Sequence, residues 1–325
     1  MTAPRSAAFG RGGHNDRVSV VTGAFSYSGA AIARRLLGGG EHVRTLTGHP
    51  ERAPAGTNIE VHPLRFDDSR ALIHSLRGAH TLYNTYWVRF AHGDLDHDAA
   101  VANSKVLFDA ARAAGVTRIV HVSIMRPDLA SPYSYFRGKA RVEQCLADSG
   151  VSHAIVRPAI LFGGDGVLVN NIAWLLRHLP VFAVGGRGDY RIRGIHVDDL
   201  AALCLRLGAA QTTTVTDAVG PQRLTFLEFV QAIRAAVGSR SILVPVPGRL
   251  LTAVSAGLSA LLRDTLLTRD EYWAMVDGLA DSDAPATGSV VFTDWLEEHA
   301  ATLGRQYANE LDRHFRPPRT TGTRP

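Results

Sequence analysis

The chain has 325 residues, enough for one large α/β domain or a domain with a smaller lobe. Its net charge of +5 sits at the ends: residues 1–17 carry +2 through Arg5, Arg11 and Arg17 against Asp16, residues 316–325 carry +3 through Arg316, Arg319 and Arg324, and the body between is neutral. A neutral body lacks the concentrated basic face that nucleic-acid binding requires, which excludes that class of partner.

Residues 1–16 and 316–325 are rich in Gly, Pro, Thr or Arg and read as disordered tails. Residues 17–160 alternate strand-like and helix-like patterns. Strands are expected at 18–22, 42–46, 59–64, 81–84, 118–123 and 152–157, the last stopped by Pro158. Helices are expected at 30–37, 69–77, 99–114 and 135–148. This alternation predicts an α/β fold, a doubly wound parallel Rossmann sheet covered on both faces. From 161 to 315 the pattern loosens. Gly163-Gly164-Asp165-Gly166 and Gly185-Gly186-Arg187-Gly188 mark loops, and helical segments recur near 199–207, 226–237, 249–262, 269–279 and 294–303. This region is expected to complete the sheet and to form a smaller, mostly helical substrate lobe. Residues 250–262 are too short to span a bilayer and hold Thr252, Ser255, Gly257 and Ser259. They read as a buried helix, with a peripheral membrane contact as the alternative. Cys145 and Cys204 stand alone, without metal or redox spacing, and the N-terminus has no signal-like apolar core; both point to a cytoplasmic protein. The 14 histidines show no ligand spacing, so no metal is expected.

Only two of the 35 basic residues are lysines, Lys105 and Lys139. Lys105 reads as plain helix surface. Lys139 lies four residues after Tyr135 in Tyr135-Phe136-Arg137-Gly138-Lys139, and residues four apart share a helix face. A lysine kept in an arginine-rich chain suggests a need for a compact ammonium. A phenol with its ordinary pKa near ~10 exchanges protons poorly at neutral pH; an adjacent cation would lower that pKa. The first strand leads into Thr22-Gly23-Ala24-Phe25-Ser26-Tyr27-Ser28-Gly29 and then a helix. Gly23 suits a tight turn and Gly29 suits close helix–strand packing, while the N–H groups opening the helix suit a pyrophosphate.

On these motifs the chain resembles the short-chain dehydrogenase/reductase superfamily over roughly residues 17–315. Within it the chain looks similar to the atypical extended, NAD-dependent epimerase/dehydratase-like group, which includes NmrA-like proteins and the nucleotide-binding accessory subunit of respiratory complex I. Arg157-Pro158-Ala159-Ile160-Leu161-Phe162-Gly163 resembles the family's segment beside the nicotinamide. His196-Val197-Asp198-Asp199-Leu200-Ala201 resembles a later helix start, and Gly220-Pro221 with Leu224-Thr225-Phe226 a further piece. The chain departs from the pattern at Ser26, where the family has glycine; a hydroxyl there could bond phosphate directly. The resemblance implies a catalytic set of Ser123, Tyr135 and Lys139. Ser123 would hold the substrate oxygen, Tyr135 would pass the proton, and Lys139 would hold the ribose hydroxyls. It implies cofactor contacts from Gly23, Phe25, Ser26, Tyr27, Gly29, His49, Phe66, Asp67, Asn84, Lys139, Pro158 and Ile160. His196 reads as a structural or cofactor-side histidine.

No acid closes the second strand, and Arg44, His49 and Arg52 lie nearby, which leans to NADP over NAD. The family's adenine-side Asp is displaced, with Arg65 at its register and Asp67 and Asp68 just beyond. A substrate pocket is expected from loops beyond the carboxyl ends of the strands. Its candidates are Tyr86, Trp87, Met125, Phe162, Asn171 and Arg193, with Arg89, Arg126, Asn170, Trp174 and Tyr190 nearby. Such a mixture suits a medium-sized, partly apolar ligand. The expected function is that of an NAD(P)-dependent oxidoreductase or epimerase, transferring hydride between nicotinamide and a carbonyl/carbinol carbon. The alternative is an NAD(P)-binding sensor or assembly subunit with little or no turnover. The expected partner is a small-molecule substrate, with no nucleic acid and no integral membrane segment; a homodimer is possible.

Overall fold

The computed structural model describes residues 17–89, 95–262, 264–265 and 267–309, so the expectations for the two tails lie outside the described residues. The first half runs β1 (Val18–Thr22), α1 (Tyr27–Gly38), β2 (His42–Thr47), β3 (Glu60–Pro63), α2 (Ser69–Leu76), β4 (Ala79–Asn84), α3 (His97–Ala113), β5 (Arg118–Val122), α4 (Ser134–Asp148) and β6 (Ser152–Pro158). The second runs β7 (Ile160–Phe162), α5 (Val167–His178), β8 (Val181–Gly185), β9 (Arg191–Ile192), β10 (Gly194–His196), α6 (Val197–Ala209), β11 (Thr214–Ala218), β12 (Leu224–Thr225), α7 (Phe226–Ala236), β13 (Ile242–Val246), α8 (Gly248–Leu262), α9 (Arg269–Val276) and α10 (Phe292–His299).

Seven strands form one parallel sheet in the order β11-β6-β5-β4-β1-β2-β3. The strand order reverses between β1 and β4, which opens a crevice beyond their carboxyl ends. Successive side chains on a strand point to opposite faces, and here both faces are apolar. Val21, Tyr83, Val120 and Val156 pack with Ile32 and Leu36 of α1 and Leu200 and Leu203 of α6. Val20, Leu46, Leu82, Ile119 and Ile155 face Leu72 of α2, Phe108 of α3 and Val142 of α4. Burial on both faces is why these strands read as apolar runs rather than alternating ones. Arg118, 1% exposed, donates to the Leu207 and Thr212 carbonyls. It thereby satisfies backbone acceptors at the end of α6, where a helix favours a cation.

The lobe is held by small pairings: β7 with β10 and β8 with β13 in parallel, β9 with β12 antiparallel. Residues of α5, α7 and α10 close a second core around Phe162, Phe229, Phe292 and Trp295. The structure differs from the sequence reading at several points, strands β7 and β11 among them. β6 continues through Pro158, whose carbonyl accepts from the Met125 N–H at 2.8 Å. Helix α5 was not expected, and its N-cap, Gly166, makes no side-chain cap bond, so the usual start signal is missing. Strands β8, β9, β10, β12 and β13 were also not expected; β9, β10 and β12 span two or three residues each, too short for a period to show. Helix α8 forms as expected but is not buried all round: Leu251 is covered, whereas Leu250 and Val254 are about half exposed (51% and 50%). No described helix is long and apolar enough to cross a membrane.

Candidate cofactor and substrate cleft

β1 ends at Thr22, and Gly23 takes a φ of +66°, a left-handed conformation that side chains disfavour. A Cβ on Gly29 would stand 2.1 Å from the Gly23 carbonyl oxygen, so only glycine lets α1 begin against this turn. Ser26 occupies the N-cap of α1 without a side-chain cap bond. Its Oγ instead donates to the Gly23 carbonyl at 2.6 Å. Within the turn the hydroxyl's single proton is thus engaged locally. The N-cap side chain satisfies none of the opening N–H groups of α1, the arrangement an anion site at a helix N-terminus needs. Tyr27 ties this helix start to the lobe, its phenol donating to the Gly163 carbonyl at 2.7 Å.

The neighbouring strand end is braced from below. Thr22 Oγ1 donates to Asn84 Oδ1 at 3.1 Å and accepts from the Thr85 N–H at 2.7 Å. Asn84 Nδ2 in turn donates to His121 Nδ1 at 3.0 Å. Asn84 is fully buried and off the cleft wall, so it supports the turn instead of lining it.

A cleft of about 2050 Å³ runs from this turn into the lobe. Gly23, Phe25, Ser26 and Tyr27 line one end, with Thr47, Gly48, His49, Arg52 and Phe66 beside them and Ile160 further along. Gly29 and Pro158 lie behind the wall. Arg44 is directed elsewhere, to Glu60 at 2.9 Å and to the Ser75 and Arg77 carbonyls at 2.7 and 3.0 Å. His49 pairs with Glu51 at 3.1 Å. Asp67 is exposed and off the wall, and Asp68 caps α2 by accepting from the Ala71 N–H at 2.9 Å. Asp67 therefore does not meet the cleft, while Phe66 does, packed on Tyr86 with ring centroids 4.8 Å apart.

Tyr135 stands in the first turn of α4, half-buried on the cleft wall. Its ring meets Trp87 and His97 edge-on at 5.6 and 5.5 Å, and those two rings stack on each other at 5.7 Å. Burial pushes the phenol's pKa above its ordinary value, and the Glu271 carboxylate pushes it further while Arg89 opposes. Lys139, one turn on, is 2% exposed and off the wall. Its Nζ donates to the Val122 carbonyl at 3.0 Å and lies 4.7 Å from the centre of the Trp87 ring. Burial lowers the ammonium's pKa to about 7, with Glu143 opposing. Lys139 contributes no lowering of the phenol here: the amine faces a strand carbonyl and an indole, and desolvation dominates the phenol. Ser123 is 4% exposed, also off the wall, and its Oγ finds no hydrogen-bond partner among the described residues. A buried hydroxyl left so costs about 1–3 kcal/mol.

Of the expected substrate residues, Tyr86, Trp87 and Asn171 line the cleft. Met125 and Phe162 do not: they are 0% and 1% exposed, packed into cores. Arg193 is also displaced from that role, its guanidinium donating to the Gly220, Ser282 and Ala284 carbonyls at 2.9, 3.0 and 2.6 Å. His196 is structural, with Nδ1 accepting from the Asp198 N–H at 3.2 Å where α6 begins. Lys105 is exposed and paired with Asp109. Among the cleft residues that escaped the sequence reading are His97, Asn103, Tyr133 and Glu271. Asn103 donates to the Tyr86 hydroxyl at 2.9 Å. Two bonds join the walls to α9 and its end: Tyr133 to Asp277 at 2.6 Å and Arg89 to Glu271 at 2.8 Å. Glu271 had a local signal, the Thr268-x-x-Glu271 capping box; its pairing with Arg89 across the cleft had none. Among the described residues no group of three or more His, Cys, Asp or Glu side chains is placed to hold a metal ion.

Residues 23–173 match the model of a family described as NAD(P)H-binding. An uncharacterized protein of Mycobacterium tuberculosis is 31% identical over 264 residues, covering 78% of this chain and 27% of that protein. The chain thus spans about a quarter of the length of the first curated relatives it matches. The mitochondrial NADH dehydrogenase [ubiquinone] 1 alpha subcomplex subunit 9 of Arabidopsis thaliana is 24% identical over 210 residues, 61% of this chain and 52% of that protein. Among solved structures, the Citrobacter sp. triphenylmethane reductase complexed with NADP(H) superposes with a TM-score of 0.71 at 16% identity, covering 87% of this chain and 99% of that one. A nucleoside-diphosphate-sugar epimerase from Staphylococcus aureus gives 0.66 at 16% identity, covering 86% and 99%. At these identities the structural likeness shows the fold alone.

Proposed function

We propose, for this NAD(P)-binding Rossmann-like chain of the NmrA- and epimerase-like group, an NADP-dependent oxidoreductase activity on a carbonyl/carbinol substrate. The observation that carries the reading is Tyr135 on the wall of the same cleft that begins at the glycine turn, so that a phenol and a dinucleotide-type anion site share one cavity. In this reading residues 17–160 hold the cofactor and residues 161–315 complete the sheet and cover the substrate, in the cytoplasm. Gly23, Phe25, Ser26 and Tyr27 surround the diphosphate, and Gly29 keeps its path open. Phe66 lies against the adenine side, and Ile160 lies toward the nicotinamide. The wall after β2 consists of Thr47, Gly48, His49 and Arg52 and offers no carboxylate to a ribose 2′-hydroxyl, which favours NADP.

A bound nicotinamide would supply the hydride or accept it. The Tyr135 hydroxyl gives its proton to the carbonyl oxygen in reduction and takes one back in oxidation. The raised pKa leaves Tyr135 protonated at neutral pH and makes it a weak acid, so proton donation requires its surroundings to change when ligands bind. Ser123 and Lys139, the expected holders of that oxygen and of the ribose hydroxyls, lie buried behind the wall, so those roles require the Trp87 side of the cleft to shift when ligands bind. Epimerisation is the same step run twice, with the keto form turned in between. Fluorescence titration is expected to give tighter binding of NADPH than of NADH. Tyr135→Phe is expected to keep that binding and to lose about 10²–10⁴ in turnover with a carbonyl substrate; equal turnover by the variant would remove Tyr135 from the chemistry.

A second reading, an NAD(P)-binding sensor or assembly subunit with little turnover, is favoured by Lys139 and Ser123 lying off the cleft wall. The Arabidopsis relative named as a subunit of NADH dehydrogenase supports it too. Tight NADPH binding with no oxidation against a carbonyl panel would select it.

A further inference from the structure

The cleft continues from the glycine turn and Tyr135 into the lobe, where one stretch of its wall is aliphatic. At about 2050 Å³ it exceeds the roughly 300–1,000 Å³ of a pocket for one drug-sized ligand, leaving room for a second molecule beside the cofactor. On the lobe side Leu168, Leu175 and Leu179, with Val181, Val254 and Leu258, line it. Three of these are large apolar side chains in contact with solvent: Leu168 is 36%, Val181 47% and Val254 50% exposed. Exposed apolar surface gathered inside a concave wall marks a ligand groove.

Polar groups on the same wall are turned to the protein itself. Asn171 donates to the Ala308 carbonyl at 2.8 Å and accepts from the Ala308 N–H at 3.0 Å. Ser255 donates to the Leu267 carbonyl at 3.1 Å. Glu271 accepts from Arg89 and from its own capping threonine, Thr268. The stretch made by α5, β8 and α8 therefore presents mostly hydrocarbon to the cavity, while Asp165, Thr265, Arg269 and Asp270 line the cleft around it. This wall is continuous with the one that carries Tyr135.

We infer that the substrate carries a long aliphatic chain, seated between α5, β8 and α8, with its oxygen-bearing carbon at Tyr135. The inference rests on the proposed reading of Tyr135 for the position of that oxygen, whereas the tail site stands on the wall chemistry. Reduction within it balances simply: a hydride from NADPH adds to the carbonyl carbon, the Tyr135 proton adds to the oxygen, and alcohol and NADP⁺ result.

The test is binding of a series of probes, 1-butanol, 1-hexanol, 1-octanol and 1-decanol, to the full chain in the presence of NADPH, with which an alcohol cannot react, followed by calorimetry. Affinity is expected to rise by about two- to fourfold per added methylene, the upper figure being full burial of each CH₂. Val254→Glu and Leu168→Glu alter exposed helix positions and are expected to flatten this slope. Butanol and NADPH affinities should stay as in the parent chain. A flat series in the parent chain, or variants that keep its slope, would overturn the tail site. The binding arm needs no turnover. A chain that binds the series with the expected slope yet reduces no aldehyde keeps the tail site and loses the reductase reading. One that reduces butanal as efficiently as decanal and binds the alcohols without a slope keeps the reductase and loses the tail site.

Discussion

Replacing Lys139 with methionine isolates one buried amine. The ammonium is 2% exposed, and burial lowers its pKa from 10.5 to about 7. Between those values the unfolded chain holds a proton that the folded chain has given up, so stability rises with pH across this window. The burden is largest at and below pH 7 and fades as the pH approaches the unfolded value. Each pH unit in which only the unfolded lysine is protonated is worth about 1.4 kcal/mol. From pH 7 to pH 9 the parent chain should therefore gain about 2 kcal/mol more than the variant, because half of the first unit is shared by both states. Methionine keeps the stem against Trp87 and brings no charge, and the other titrating groups act equally in both proteins and cancel. Urea unfolding of ligand-free protein at pH 7, 8 and 9 measures the difference, with the variant the more stable at pH 7. Parallel pH profiles would refute the reasoning and show the amine to be solvated in the fold.

Gly29→Ala drives a Cβ to within 2.1 Å of the Gly23 carbonyl, so the turn must open; NADPH affinity measured by fluorescence is expected to fall at least about tenfold. Met125→Ala empties a fully buried site and is expected to lower unfolding stability by about 2–5 kcal/mol in urea melts. KM for any substrate should stay unchanged, since Met125 is off the cleft wall. The Arg89–Glu271 pair is about one-third exposed on each side, at 31% and 30%. A double-mutant cycle on stability is expected to give a coupling of at most about 1 kcal/mol, shrinking with added salt.

The sequence by itself determined the scaffold. Strands buried on both faces, a helix opening directly after the glycine turn and an i,i+4 spacing of Tyr135 and Lys139 are local properties, written in consecutive residues and expressed wherever the chain folds. Thr22, Gly23 and Gly29 stand where the motif required, and six of the seven sheet strands were legible as periods. The tertiary structure alone decided where side chains point and what they meet. Lys139 shares a helix face with Tyr135, yet its Nζ goes to the Val122 carbonyl under the Trp87 ring, because β5 and the segment after β4 close on that face. Arg44 follows the logic of a phosphate ligand in sequence but meets Glu60 of the adjoining strand. Arg89 and Glu271 lie 182 positions apart and have no common period or motif. Helix α5 and the short lobe strands had no cap or alternation to announce them, and packing on Phe162 and Phe292 fixes them instead. Backbone form follows short-range sterics and periodicity, whereas the direction of a charge or a hydroxyl is set by whichever partner the fold brings within about 3 Å.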